Sequence, residues 1–328
     1  MAIREPVASN ALACAPCPPL ASHENARLHD GVASGCYQSD DWMKLFAFGF
    51  GFTALRLVDI YADEFERISG TVRHAEKRDG LHRQKLDAYL FDAVEHSEIA
   101  SRIKEADVLL VSVPPGRSED PVLSAFGQQI EASTARQVVY LSTVGVYGDH
   151  GGAWIDEDTA VSPQVDRAHA RVTAERRWKD VAGDRLAVLR LAGIYGPRRN
   201  ALARLRDGNA RRIVKPGQVF NRIHVDDAAQ AAMAAINHHK GGTWNVCDDE
   251  PAPPQDVIAY AASLMGIKPP ATEDFATAKM TPMARSFYAT NNKISNARLK
   301  RDLGVELAYP TYREGLEQLW NAGEGRPV

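Results

Sequence analysis

Gly49-Phe50-Gly51-Phe52-Thr53-Ala54 fits the pattern G-x-G-x-x-[GA], whose chemistry is the holding of a phosphate chain by backbone amides. The first glycine permits a tight turn. The second lets the backbone approach a pyrophosphate, and the small third residue lets a helix pack closely on a strand. The pattern is weak alone. It gains force from its flanks, an apolar strand ending at Phe48 and an amphipathic helix beginning near Thr53. A helix start there offers free N–H groups and partial positive charge to phosphates. The second strand ends Ser69-Gly70-Thr71-Val72-Arg73, without the carboxylate that usually meets the ribose of NAD. Arg73, with Lys77 or Arg78, would instead pair with a 2′-phosphate, so NADP is the favoured cofactor and NAD the alternative. The competing reading of these cations is a solvated basic turn. Asp92, after the third strand, is placed to meet the adenine. Ser112-Val113-Pro114-Pro115, at the end of the fourth strand, would lie along the cofactor.

A second charged group is spaced for one helix face. Arg167, Arg171 and Glu175 stand at i, i+4 and i+8. One reading is a surface ion pair between Arg171 and Glu175, worth about 0.3 kcal/mol. The other has both arginines facing a pocket and binding an anionic substrate by bidentate contact to a carboxylate or phosphate. His169 titrates near neutrality by type. At i+2 from Arg167 it points to a different face and reads as a half-exposed histidine.

The elements that must position these residues alternate strand, helix, strand. Strands are expected at 44–48, 66–72, 88–91, 106–113, 137–141 and 186–191, and helices at 53–62, 97–105, 121–135 and 166–181. The run Ala106 to Val113 is nearly continuous in apolar residues, as in a strand covered on both faces. Such alternation argues for an α/β fold with a parallel sheet and right-handed crossovers. After Gly196-Pro197 helical patterns become more frequent, around 225–237, 255–265, 296–303 and 312–320, with a short strand at 243–246. The expected organisation is a dinucleotide-binding domain over 43–196. A mainly substrate-side domain would fill 197–328, with some segments returning to the first core.

Residues 1–42 show no helical or strand period, and Cys17-Pro18-Pro19 blocks regular structure. They read as a disordered extension, or as the product of an upstream start, with Met43 the natural first residue of the folded unit. A targeting segment is the sharper alternative, but the Pro-broken apolar stretch after Arg4-Glu5-Pro6 makes a poor signal core. Three of the four cysteines fall in this extension, which argues against a disulfide framework and fits a reducing cytosol. Cys14-Ala-Pro-Cys17 has redox or metal spacing but no second pair, so no metal site is expected. The chain has 328 residues, 45% hydrophobic and 25% charged, with a formal net charge of −3. That balance argues against a general affinity for nucleic acid or anionic membrane. No apolar run approaches the roughly 20 residues of a bilayer span.

The order of motifs resembles the extended short-chain dehydrogenase/reductase superfamily in its NAD-dependent epimerase/dehydratase branch. Its markers are Gly49-x-Gly51-x-x-Ala54, Leu141-Ser142-Thr143-Val144-Gly145-Val146-Tyr147-Gly148, Leu189-Arg190-Leu191-Ala192-Gly193-Ile194-Tyr195-Gly196-Pro197 and Ile223-His224-Val225-Asp226-Asp227. The resemblance implies a Rossmann-type doubly wound parallel sheet with a smaller C-terminal substrate domain. A homodimer packed through the helices after strands four and five is common in the family. It implies that Thr143 hydrogen-bonds the reacting oxygen and that Gly193 and Ile194 flank the nicotinamide. Tyr147, Tyr195 and His224 match structural positions.

Two departures stand out. Arg167 and Arg171 occupy the positions of the family's catalytic Tyr-x-x-x-Lys. A phenol can pass a proton near neutral pH once a neighbouring ammonium lowers its pKa; a guanidinium cannot. Arg171 could still hold the nicotinamide ribose. Phe220 stands where sugar-nucleotide epimerases carry a diphosphate-gripping arginine, with Arg222 nearby, so a nucleotide-sugar substrate is not expected. The leading expectation is an NAD(P)-dependent, epimerase/dehydratase-like oxidoreductase with a non-standard site and a small, anionic substrate. The alternative is a catalytically silent NADP(H)-binding sensor.

Overall fold

Alternate residues of the first strand point to opposite sides, and both sides are apolar. In the computed structural model, which describes residues 42–326, Leu45 and Ala47 join one core layer while Phe46 and Phe48 join the other. That strand, β1 (Met43–Phe48), lies inside a seven-stranded parallel sheet with β2 (Phe65–Val72), β3 (Asp87–Leu90), β4 (Val108–Val111), β5 (Gln137–Thr143), β6 (Leu186–Leu191) and β7 (Gly242–Val246). The order across the sheet is β7-β6-β5-β4-β1-β2-β3. It reverses between β1 and β4, and the crevice outside the carboxyl ends there is where doubly wound sheets bind ligands.

Helices cover both faces. On one side α1 (Phe52–Tyr61) packs against a later helix, Val225–His238, rich in buried alanines such as Ala228, Ala231 and Ala235. These small side chains let the two helices lie close together over β1. On that same side α2 (Ala75–Arg83) lies beside β3, with Leu81 in the shared core layer, and on the other side are α3 (Ser97–Glu105), α4 (Pro121–Glu131) and α5 (Asp166–Ala182). Ile99, Ile103, Val122, Phe126 and Trp178 anchor the last three. Asp120 caps α4 through the Val122 and Leu123 amides and also accepts from Trp178 Nε1 at 3.0 Å, which fastens α4 to α5.

After β6 the chain builds the far wall of the crevice. It contains α6 (Ala201–Arg206), α8 (Pro254–Leu264), α9 (Pro282–Ser286) and α11 (Tyr312–Asn321), whereas the Val225–His238 helix (α7) and α10 (Ala297–Leu303), through Leu299, pack on the core of the sheet. Leu202, Ala261 and Leu316 tie α6, α8 and α11 into one cluster. Three short parallel ribbons brace this wall: Gly193–Tyr195 with Arg222–His224, Arg212–Val214 with Thr272–Asp274, and Trp154–Ile155 with Lys293–Ile294.

The strand expected at 243–246 is the edge strand β7, paired with β6. Helix α2 was not expected; of its nine residues only Leu81 is buried, so the apolar period is missing. The strand expected at 106–113 is shorter, because Ser112 and Val113 turn back to bond Phe48 O. Residues 1–41, with Cys14 and Cys17, lie outside the described residues. Cys247 is buried, its thiol pushed up by desolvation. No helix among the described residues is long and apolar enough to cross a membrane.

Candidate active site

The cofactor loop between β1 and α1 is fixed from below. Gly49 has φ +91°, a left-handed value that favours glycine. Its N–H donates to Thr71 Oγ1 (2.9 Å), and the Phe50 N–H donates to Thr71 O (2.8 Å). The Phe50 side chain turns down into the core against Gly70, where a Cβ would stand 2.9 Å from the Phe50 ring and 2.4 Å from Ala47 O. Lys77 Nζ donates to Phe50 O at 2.5 Å. Gly51 then starts α1 with no capping side chain, and the first turn carries no acid. The amides of that turn keep their partial positive charge and open toward the crevice. A Cβ on Gly51 would lie 2.8 Å from Ser112 Oγ, so the loop and the end of β4 form a cradle that only glycine leaves open. These residues fit a dinucleotide's pyrophosphate.

Of the other residues expected to hold the cofactor, Phe52, Thr53, Ser112, Pro114, Gly193 and Ile194 line the same cleft. Gly49 and Phe50 form the base of the loop and do not line the cleft, the Phe50 side chain being buried, and Val113 packs against Gly49. Arg73 is exposed just past β2. Lys77 is committed to the loop carbonyl, and Arg78 pairs with Asp79 at 2.8 Å. Asp92 is exposed and bonded to His96 at 3.0 Å, outside the cleft lining.

Thr143 ends β5 in the cleft, and its Oγ1 accepts the Gly145 N–H at 3.2 Å. That bond occupies a lone pair and leaves the hydroxyl hydrogen free to donate. Both Arg167 and Arg171 line the same cleft. Arg171 Nη1 donates to Leu141 O (2.7 Å) and to the Tyr140 hydroxyl (3.2 Å), so this guanidinium is anchored to the end of β5. Burial pushes the Tyr140 phenol far above its ordinary value. Arg167 stacks 4.6 Å over the Phe287 ring, which comes from the far wall. Glu175 forms no surface pair with Arg171. It turns inward, where it accepts from Ser142 Oγ (2.5 Å) and Arg190 Nη2 (2.8 Å).

The cleft has a volume of about 1370 Å³ and holds seven arginines and no aspartate, glutamate, lysine or histidine. Arg198, Arg199 and Arg204, which the motif reading missed, join Arg167 and Arg171. Arg211 pairs with Glu273, and Arg222 donates to Phe220 O (2.9 Å) and Ala252 O (3.1 Å). Arg204, Arg211 and Arg222 surround the Tyr288 phenol, which burial nonetheless pushes up. Burial likewise raises Tyr195 and Tyr312. No side chain lining the cleft is therefore poised to exchange a proton near pH 7. The signal for the missed arginines was Pro197-Arg198-Arg199, directly after the Tyr195-Gly196 turn.

The remaining motif residues are structural. Tyr147 donates to Asn245 Oδ1 at 2.7 Å and lies under Arg190. Tyr195 is packed against Gly315. His224 caps α7 by accepting the Asp226 N–H at 3.3 Å. His169 is exposed. Phe220 lines the cleft, edge-on to Tyr288 at 5.1 Å.

The family model for the NAD dependent epimerase/dehydratase family matches residues 120–247, which include Thr143, Arg167 and Arg171. Among solved structures, a functionally unknown conserved protein from Silicibacter pomeroyi DSS is 45% identical with a TM-score of 0.79. The match covers 86% of this chain and 99% of that one. Protein YeeZ of Escherichia coli (strain K12) is 24% identical over 276 residues, 80% of this chain and 94% of that protein. A 3-diazoavenalumate denitrifying reductase from a Streptomyces species is 30% identical over 205 residues, 56% of this chain and 65% of that protein.

Proposed function

The chain belongs to the NAD-dependent epimerase/dehydratase family, and on that premise we propose that it is an NADP-linked oxidoreductase for a small anionic substrate. The observation that carries this reading is the cleft lined by seven arginines and no carboxylate, opening beside the cofactor cradle; five of these arginines (Arg167, Arg171, Arg198, Arg199 and Arg204) form no ion pair among the described residues. A neutral substrate would not offset the mutual repulsion of so many cations, whereas a carboxylate or phosphate would. The reductase name of the Streptomyces relative supports hydride chemistry.

The cofactor, when bound, supplies or accepts the hydride. The residues of this chain do the rest. The first turn of α1 and the Gly49–Gly51 loop hold the phosphates, and Arg73 favours a 2′-phosphate on the ribose. Thr143 donates its hydroxyl hydrogen to the reacting oxygen. Arg171, locked by Leu141 O, sets a fixed positive charge beside that oxygen, where negative charge develops. Arg167 grips the anionic group of the substrate. With no side chain in the lining poised to exchange a proton near pH 7, the proton is exchanged with water.

A catalytically silent NADP(H) sensor is the second reading, and the same lack of a proton-exchanging side chain favours it. Hydride exchange between NADPH and a panel of carbonyl acids separates the two. Turnover that falls about 100-fold in Thr143→Ala, with cofactor affinity kept, supports the enzyme. Tight cofactor binding with no turnover across the panel overturns it in favour of the sensor. Equal affinity for NAD and NADP, or an Arg73→Asp variant that binds NADPH unchanged, refutes the role given to Arg73.

A further inference from the structure

The turn after Tyr195 places arginine where glycine is easier to fit. Gly196 and Arg199 exchange both backbone hydrogen bonds, at 3.1 and 3.0 Å. Pro197 takes the second corner, and Arg198 takes the third with φ +62°. A turn with proline second and positive φ third favours glycine or asparagine third. Keeping arginine there stores strain, which persists only where the surroundings enforce it. Here they do. The Arg198 N–H donates to Glu324 Oε1 (2.9 Å), and Asn200 Nδ2 donates to Gly196 O (2.9 Å) and Glu324 Oε2 (3.0 Å).

The pinned turn rests on the cofactor loop. A Cβ on Gly196 would lie 3.2 Å from the Phe52 ring. The Arg199 guanidinium stands 5.8 Å from the centroid of that same ring, and Phe52 is the first residue of α1. Arg199 has no carboxylate partner among the described residues. The loop itself is short of charge. Its residues in the cleft are Gly51, Phe52 and Thr53, with Ser112, Pro114 and Pro115 opposite, and none is a cation. A helix N-terminus supplies about half a positive charge, against the two negative charges of a pyrophosphate. Lys77 reaches the loop only from beneath, through Phe50 O, and does not line the cleft; on the cleft side Arg199 is the guanidinium packed against the loop.

We propose that Arg199 is a cofactor-positioning residue that closes over the dinucleotide's pyrophosphate from the substrate side, facing the amides of α1. This rests on the cofactor reading above. The rigid turn, fixed by Glu324, holds Arg199 in place before the cofactor arrives, so less freedom is lost on binding.

Calorimetric titration tests this with NADPH and with adenosine 2′-monophosphate, which lacks the pyrophosphate, at low and high salt. Arg199→Ala should weaken NADPH about 10-fold and flatten the salt dependence, while leaving adenosine 2′-monophosphate unchanged. Arg199→Lys should fall between. Wild-type affinity for NADPH in Arg199→Ala overturns the inference and leaves the cofactor reading standing. Equal weakening of both ligands also overturns it, because the residue would then act on the adenosine end. If the unsubstituted protein binds no dinucleotide, the cofactor reading fails and takes this inference with it.

Discussion

Glu175 is joined to Arg190, not to Arg171, its neighbour on the same helix face. The two side chains, each 10% exposed, meet at 2.8 Å between α5 and β6. Ser142 of β5 donates to the same carboxylate at 2.5 Å. The helix that carries Arg167 and Arg171 is thereby tied to the two strands whose ends form the site. Glu175 stands one turn beyond Arg171, which is free to bond Leu141 O because its helical neighbour is engaged elsewhere.

The pair predicts an asymmetric mutational response. Glu175→Ala leaves the Arg190 charge buried without its partner, and should cost about 3–5 kcal/mol in urea unfolding. Replacing both, as Glu175→Leu with Arg190→Met, should recover most of that loss, since a buried ion pair is often matched by apolar residues of similar volume. A double variant as unstable as the single would show that the pair holds the site by something other than its charge.

The cradle makes a prediction about space. Gly51→Ala places a methyl 2.8 Å from Ser112 Oγ, closer than carbon and oxygen pack. The chain should still fold, because the cleft side of the loop is open, yet dinucleotide affinity should fall at least about 10-fold. Adding Ser112→Ala removes the obstructing oxygen and should return part of that affinity. An additive double-variant cycle would mean that the methyl blocks the ligand itself rather than distorting the loop.

How much of this was legible in the sequence depends on what each residue touches. The cofactor loop was visible because its glycines obey a local rule, imposed by Thr71 and Ser112 on either side. The central strands were visible because both faces are apolar. Helix α2 was invisible because Leu81 alone is buried. The direction of Glu175 was also hidden. Its partners, Ser142 and Arg190, are far along the chain, and only packing decides between them and Arg171. Spacing identified Arg167 and Arg171 as a pair, but not that one is anchored to a strand and the other is stacked on Phe287.

That difference predicts separate phenotypes for the two arginines. Among the described residues Arg167 is held by the Phe287 ring and by no carboxylate, so Arg167→Ala should act on recognition. We expect carbonyl acids to be reduced at least about tenfold more efficiently than their methyl esters, the worth of one charge-assisted contact. Arg167→Ala should erase that gap through KM, with protein stability unchanged. Arg171→Ala should lower kcat instead, since its charge is fixed at the end of β5. An ester preferred to its acid by the unsubstituted protein would contradict the anionic substrate.

His224 gives the pH prediction. Burial lowers its pKa from 6.5 to about 4, although Asp226 works in the opposite direction. The unfolded chain takes up this proton below pH 6.5, and the folded chain only below about 4. His224 therefore contributes stability that is present above pH 6.5 and is lost as the pH falls to 4, roughly 3 kcal/mol in all. Asp227, next along α7, runs the other way. Burial raises its carboxyl from 3.8 to about 6, so the folded chain holds that proton more tightly and gains stability as the pH falls from 6 to 3.8. In the native protein the two trends oppose each other between pH 4 and 6. His224→Asn keeps a good N-cap for α7 and removes the first trend alone. Chemical unfolding should then show the variant gaining on the wild type by roughly 3 kcal/mol between pH 7 and pH 4. A difference that stays constant across that range would mean that His224 takes up its proton as readily in the folded chain as in the unfolded one, and that its contacts with Tyr195 and Tyr309 tolerate the charge.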